Sequence, residues 1–143
     1  MMISTRGRYA LRFLIALSKR GESFSSLSEI AAEEEISPKY LEKIARILLS
    51  SGIIEAQRGK DGGYRLIPDA SSLHVSEVLA LTEDSLAPVE CLCCDSKDCS
   101  RRENCPTRPM WEALYRNTMD FFSSVTISDL KNGTYDFQSK NSR

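Results

Sequence analysis

The chain has 143 residues, enough for one domain with a hydrophobic core and an appended helix, and its formal net charge is −1. No stretch approaches the roughly 20 apolar residues of a membrane span. Arg12 interrupts the first apolar run with no small-residue cleavage site behind it, so no signal peptide is expected and the protein is expected to be cytoplasmic.

The charge is unevenly divided. Residues 1–68 carry a net +3 and residues 69–143 a net −4, so the front half suits a polyanionic partner and the back half does not. Ala10, Phe13, Leu14 and Leu17 recur at helical spacing within 6–19, which predicts a first helix ended by Gly21. Ser26 and Glu29 have the spacing of a capping box, opening a second helix over 26–35 with Leu27, Ile30 and Ala31 inward. Ser37 followed by Pro38 starts a third, with Leu41, Ile44, Ala45 and Leu48 as its apolar stripe and Gly52 as its stop. Two short helices this close read as a helix-turn-helix.

Two β-prone runs, 53–57 and 64–67, flank the Gly-rich turn 58–63, and Pro68 closes the hairpin. A hairpin directly behind a helix-turn-helix is the wing of a winged helix. A further short helix is expected over 73–82, with Val75, Val78 and Leu79 buried. Residues 83–106 read as a loop, and a longer helix runs from Pro109 to about Phe122. Trp111, Leu114, Tyr115, Thr118 and Phe122 line one side of it, widened by Met110 and Phe121. Such a face is too broad and aromatic to stay wet, and a two-fold dimer interface is its expected use. A last helical turn opens at Thr126, and 131–143 is a polar tail expected to be disordered. The fold class expected is therefore mainly α with a small β-hairpin. A winged helix-turn-helix occupies 1–82, a cysteine-rich loop 83–106 and a dimerisation helix 107–130.

In a helix-turn-helix the second helix enters the major groove. That brings Lys39, Tyr40, Glu42 and Lys43 near bases, with Arg46 further along the outer face. Lysine and arginine can bind guanine or neutralise phosphate, whereas Glu42 can only accept, for example from cytosine N4. Arg58 and Lys60 at the wing tip suit the minor groove. The bland alternative is a solvated helix pair that binds protein.

All five cysteines fall within fifteen residues: Cys91, Cys93, Cys94, Cys99 and Cys105. An odd count in a cytosolic chain argues against a disulfide framework and for metal or redox chemistry. Cys93, Cys99 and Cys105 could supply three thiolates to an iron–sulfur centre and leave a fourth position for another group. Alternatively Cys91 and Cys94 pair with Cys99 and Cys105 in a four-thiolate zinc site, or the loop is one of free thiols that oxidise. His74, the only histidine, reads as a helix-start capping or core residue and not as a ligand. No catalytic dyad, triad or phosphate cradle stands out, so no enzyme and no small-molecule substrate are expected.

The stretches ISTRGRYAL (3–11), ISPKYLE (36–42), RGKDGGY (58–64) and Cys93-x5-Cys99-x5-Cys105 resemble the IscR-type regulators in order, over about residues 2–130. This bacterial winged-helix family also includes NsrR-like nitric oxide sensors and cluster-free CymR-like repressors of cysteine metabolism. The resemblance implies a homodimer joined through the C-terminal helix, with the loop beside the partner's DNA-binding domain. It implies a cluster on Cys93, Cys99 and Cys105, [2Fe–2S] being favoured over [4Fe–4S], and DNA contacts by Lys39, Glu42, Lys43 and Arg58. The fourth ligand departs from the family: Arg108 stands where IscR-like proteins have histidine, and Arg8 where NsrR-like proteins have a carboxylate. Cys91 or Cys94 is left to complete the site. The expected function is a dimeric regulator that binds a double-stranded DNA operator under control of an iron–sulfur cluster reporting cluster or iron status, oxygen or nitric oxide. The alternatives are a small iron–sulfur redox or cluster-transfer protein and a zinc-stabilised regulator.

Overall fold

Helix α1 (Thr5–Lys19) starts slightly ahead of the apolar pattern because Ser4 is extended and its hydroxyl accepts from the Gly7 N–H at 3.0 Å. The computed structural model describes residues 2–93 and 99–136. The elements after α1 are α2 (Leu27–Glu34), α3 (Pro38–Ser50), β1 (Ile54–Gln57), β2 (Gly63–Leu66) and α4 (Val75–Thr82). A 3-10 turn (Glu90–Leu92), α5 (Arg108–Ser124) and α6 (Ile127–Asn132) follow. The expected fold class holds: helices around one two-stranded antiparallel hairpin. No helix among the described residues is long and apolar enough to cross a membrane.

Helix α1 is the hub, packed against α2, α3, α4, α6 and β2. Its Phe13, Leu14 and Leu17 meet Ile30 of α2 and Leu41, Ile44 and Leu48 of α3 in one buried cluster. Each of these side chains, removed from water, contributes about 1.5–3 kcal/mol. Ser26 caps α2 by accepting from the Glu29 N–H at 3.2 Å. Glu29 does not return the bond, so the predicted capping box is half made. The helix also stops before the third glutamate. Glu35 adopts a left-handed conformation, φ 55°, and the Ile36 N–H bonds the Ala31 carbonyl at 2.9 Å. That reversal, usually given to glycine, turns the chain into α3.

The wing is longer in its pairing than the sequence indicates. Strands β1 and β2 pair Ile54 with Leu66 and Gln57 with Gly63, and Ser25 exchanges backbone bonds of 2.9 and 2.8 Å with Tyr64. Gly63 makes this third contact possible. Its φ is 142°, and a Cβ there would overlap the Ser25 carbonyl.

Two expectations for the C-terminal region need correction. The helix expected from Pro109 to about Phe122 is α5, and the last turn expected from Thr126 is α6. But α6 does not share the role expected of 107–130: Val125 and Thr126 between them are extended and pair with the chain before α4. The Val75 N–H bonds the Val125 carbonyl and the Ile127 N–H the Leu73 carbonyl, both at 2.9 Å. Ile127 is fully buried in the winged-helix core, so α6 belongs with that unit. The tail also does not begin at 131. Lys131 and Asn132 complete α6, Gly133 caps it at φ 63°, and the Tyr135 hydroxyl lies 2.8 Å from Ser124 Oγ. Residues 137–143 of the expected tail lie outside the described residues.

The aromatic face of α5 divides. Tyr115, Met119 and Phe122 turn towards α4 and pack on Val75, Leu79 and Leu86. Met110, Leu114 and Phe121 stay 54, 43 and 45 % exposed. The sequence placed Leu114 and Tyr115 on one side, but adjacent helical residues diverge by about 100°.

Candidate nucleic-acid interface and cysteine segment

The outward face of α3 follows from its inward one. Ser37 accepts from the Tyr40 N–H at 3.4 Å and Pro38 occupies the first turn, which fixes the helix start. Leu41, Ile44, Ala45 and Leu48 are then fully buried, and Lys39, Glu42, Lys43 and Arg46 are left exposed. The Glu42 carboxylate accepts from Arg46 Nη2 at 3.1 Å. Tyr40 differs from the other four. It is half-buried, with its ring edge-on to Tyr9 of α1 at 5.7 Å between centroids, so it supports the helix as much as it faces outward.

Arg58 and Lys60 lie exposed on the turn between β1 and β2. The base of the hairpin is fixed by an ion pair between Arg65 and Glu55, and the Arg65 guanidinium sits 4.4 Å from the Phe24 ring centroid. Arg65 is thus structural. Lys39, Lys43, Arg46, Arg58 and Lys60 are the exposed cations on α3 and the wing turn, and Glu42 and Asp61 are the acids among them.

The cysteines occupy the connection from α4 to α5. Cys91 is in the 3-10 turn, and Cys93 follows with its Sγ 3.2 Å from Ser85 Oγ and 3.8 Å from the Val89 carbonyl. Cys99 is exposed. Cys105 lies just before α5, its Sγ 3.4 Å from Thr107 Oγ1. The Thr107 hydroxyl, and behind it the Thr107 and Arg108 N–H groups, hold the Cys105 thiol below the ordinary cysteine range. Cys94 lies outside the described residues.

Among the described residues, no three His, Cys, Asp or Glu side chains stand close enough to hold a metal, so Cys93, Cys99 and Cys105 are not gathered. The donor chemistry still fits a thiolate-ligated centre: soft sulfur ligands in one segment, one of them biased towards thiolate. The two arginines at the departed ligand positions are engaged elsewhere. Arg108 Nε donates to Glu112 at 2.8 Å and Arg8 Nη2 to Thr5 Oγ1 at 3.1 Å. His74 caps α4, where its N–H donates to Glu77 Oε2 at 2.8 Å.

Sequence reasoning missed one cluster. Ser4, which caps α1, and Arg6 and Gly7 of its first turn grip residues 82–84, where the chain leaves α4 for the cysteine segment. The only sequence signal is the family-like run ISTRG (3–7), which by itself names no distant partner.

A family model described as Rrf2, iron-dependent transcriptional regulator, matches residues 3–133. The protein Rrf2 of Nitratidesulfovibrio vulgaris is 37 % identical over 137 residues, covering 91 % of this chain and 87 % of that one. The HTH-type transcriptional regulator IscR of Cereibacter sphaeroides is 34 % identical over 134 residues, covering 91 and 86 %. Among solved structures, CymR, the global cysteine regulator of B. subtilis, superposes with a TM-score of 0.79 at 30 % identity, over 94 % of this chain and 99 % of that one.

Proposed function

The chain belongs to the Rrf2 family and is a DNA-binding transcription regulator, not an enzyme, and we propose that an iron–sulfur cluster on Cys93, Cys99 and Cys105 sets its operator binding. The observation that carries this reading is the placement of every cysteine in the one connection between the winged helix and α5. When bound, the cluster supplies a crosslink between thiolates, and its state depends on iron, oxygen or nitric oxide. Cys91 or Cys94 completes the ligand set, since neither Arg8 nor Arg108 can ligate. [2Fe–2S] is the favoured form.

The chain's own residues do the rest. Lys39, Tyr40, Glu42, Lys43 and Arg46 meet the major groove and Arg58 and Lys60 the minor groove. The exposed side of α5 joins two copies into a homodimer, which puts two recognition helices on successive turns of one operator. In this division 1–82 binds DNA together with α6, 83–106 carries the cluster and α5 dimerises. The protein works in the cytoplasm, where its thiols stay reduced.

A second reading has its own support. The likeness to CymR, a global cysteine regulator, favours a regulator of cysteine metabolism without a cluster. Iron, acid-labile sulfide and zinc per chain, measured on protein purified without oxygen, separate these readings. Iron and sulfide in matched amounts support the cluster. Zinc near one per chain without sulfide indicates a structural site, and neither metal leaves the CymR-like reading.

A further inference from the structure

The start of the cysteine segment is fastened to the first turn of α1 by three consecutive residues. Ser4 Oγ donates to Glu83 Oε1 at 2.7 Å, and the Ser4 N–H lies 3.3 Å from both oxygens of the same carboxylate. The carboxylate thus rests on the positive end of α1, where a negative charge is favoured. Gly7 is required for this approach, because a Cβ there would overlap Glu83 Oε1. On one side of Glu83, Arg6 Nε donates to the Thr82 carbonyl at 2.6 Å and so caps α4. On the other side, Arg6 Nη2 stands 3.8 Å from Asp84 Oδ1.

Residues 82–84 are also the exit from α4. Glu83 ends that helix, its N–H bonding the Leu79 carbonyl at 2.9 Å, and the chain continues towards Cys91 and Cys93. At the other side of α1, Tyr9 meets Tyr40 in the first turn of α3, next to Lys39. One rigid helix therefore touches both the root of the cysteine segment and the start of the recognition helix. Ordinary helix capping needs only Ser4, whose hydroxyl already accepts from Gly7. Nothing in capping calls for a carboxylate from 79 residues away.

We propose that Glu83 is the positioning residue that couples the cysteine segment to the recognition helix, by fixing the root of that segment on α1. This rests on the reading that the metal state of the segment sets operator binding. With the latch closed, a change in the segment shifts the α1 N-terminus and, through Tyr9 and Tyr40, the tilt of α3. With the latch open, the segment rearranges without moving α1. The two arrangements are discrete, because the carboxylate either sits in the Gly7 notch or does not.

The test compares wild type, Glu83→Ala and Glu83→Gln, each with its iron and after chelation, for operator affinity, iron and sulfide content, and amide exchange of the first turn of α3. The wild-type affinity ratio between the two forms is expected on the order of 5- to 150-fold, and that of Glu83→Ala within about twofold of one. Iron content is expected to be unchanged, and chelation is expected to alter α3 exchange in wild type but not in Glu83→Ala. Glu83→Gln keeps an acceptor for the Ser4 hydroxyl and restores most of the ratio. A full wild-type ratio in Glu83→Ala, whatever its melting temperature, overturns the proposal and reduces Glu83 to a cap. Loss of iron from that variant overturns it too, since Glu83 would then be building the metal site. If wild type carries iron yet shows a ratio of one, iron-dependent binding fails and the coupling falls with it. Should Glu83→Ala not fold, Ser4→Ala opens the latch from the other side. The same loss of ratio is expected there, and a retained ratio is again decisive against the proposal.

Discussion

Glu42 and Arg46 neutralise each other across one turn of α3, with Oε1 3.1 Å from Nη2 and both side chains more than half exposed. As a surface pair one turn apart it adds only about 0.3–0.5 kcal/mol to the fold. On the proposed recognition face the carboxylate would repel phosphate, and it occupies a guanidinium that could neutralise one. Glu42→Ala is therefore expected to bind unrelated duplexes more tightly and to discriminate less between operator and non-operator DNA. If the freed Arg46 reaches a phosphate, the slope of log affinity against log salt steepens by about 0.9. Fluorescence anisotropy at several salt concentrations reads both effects. An unchanged slope removes Arg46 from the interface.

The wing makes the opposite prediction. Arg58 and Lys60 are exposed on the turn and no ion pair of theirs is found among the described residues, so replacing either leaves the fold intact. Arg58→Ala is expected to weaken binding across all sequences if it meets phosphate, with a salt slope shallower by about one. A selective loss at A/T-rich positions instead marks insertion into a narrow minor groove. Unaltered affinity for both variants would falsify a DNA-contacting wing.

Gly63 tests the wing's attachment. Its φ of 142° and the overlap of an added Cβ with the Ser25 carbonyl leave no room for alanine without breaking the Ser25–Tyr64 pairing. Gly63→Ala is expected to cost about 1–3 kcal/mol, the range for residues forced into sparsely populated backbone regions. Chemical denaturation measures it. Gly21, whose added Cβ would meet nothing nearby despite its φ of 63°, is expected to cost less on the same substitution. Equal losses at the two positions would mean that only backbone conformation, and not the close approach, matters.

These cases also show which parts of the molecule the sequence expresses. Apolar spacing located α1, α3 and the buried residues Leu41, Ile44 and Leu48, because periodicity is a local property set by the helix itself. Pro38 and Ser37 fixed a boundary for the same reason. Glu35 in a left-handed turn was not legible, since its conformation comes from the packing of α2 against α3 and runs against its own preference. The Glu83–Ser4 bond and the return of Ile127 to the core join residues far apart in the chain, and no local pattern encodes them. The cysteines were legible as a cluster of donors, but spacing alone carries no geometry, and the described thiols are not gathered.

Cys105 allows a chemical test that needs no metal. The Thr107 hydroxyl and the N–H groups at the start of α5 stabilise its thiolate, which lowers its pKa. Below the ordinary cysteine pKa the lowered group holds more thiolate than an unperturbed thiol, and above that pH the advantage vanishes. In chelated protein Cys105 is therefore expected to alkylate faster than a model thiol at neutral pH and no faster in strong base. Thr107→Val removes the largest contribution and is expected to slow alkylation at neutral pH alone. Mass spectrometry of the Cys105 peptide over a pH series follows it, and identical profiles for the two proteins would assign the thiolate to backbone donors.

The exposed side of α5 predicts the assembly. Met110 and Leu114 are one turn apart and 54 and 43 % exposed, on a helix with no buried residue. A second copy of α5 packed there would remove both from water, a gain of about 1.5–3 kcal/mol for each fully buried side chain. Wild type is accordingly expected as a dimer in light scattering. Met110→Glu with Leu114→Glu is expected to give a species near the single-chain mass of 16.1 kDa, because charges on an apolar interface cannot be paired. Neither residue belongs to the buried clusters that hold the winged helix together, so the monomer retains its helical signal. Its operator binding falls steeply, since two half-sites are no longer read by one molecule. A double variant that keeps the dimeric mass places the two-fold contact on another surface and leaves the exposed side of α5 without this role.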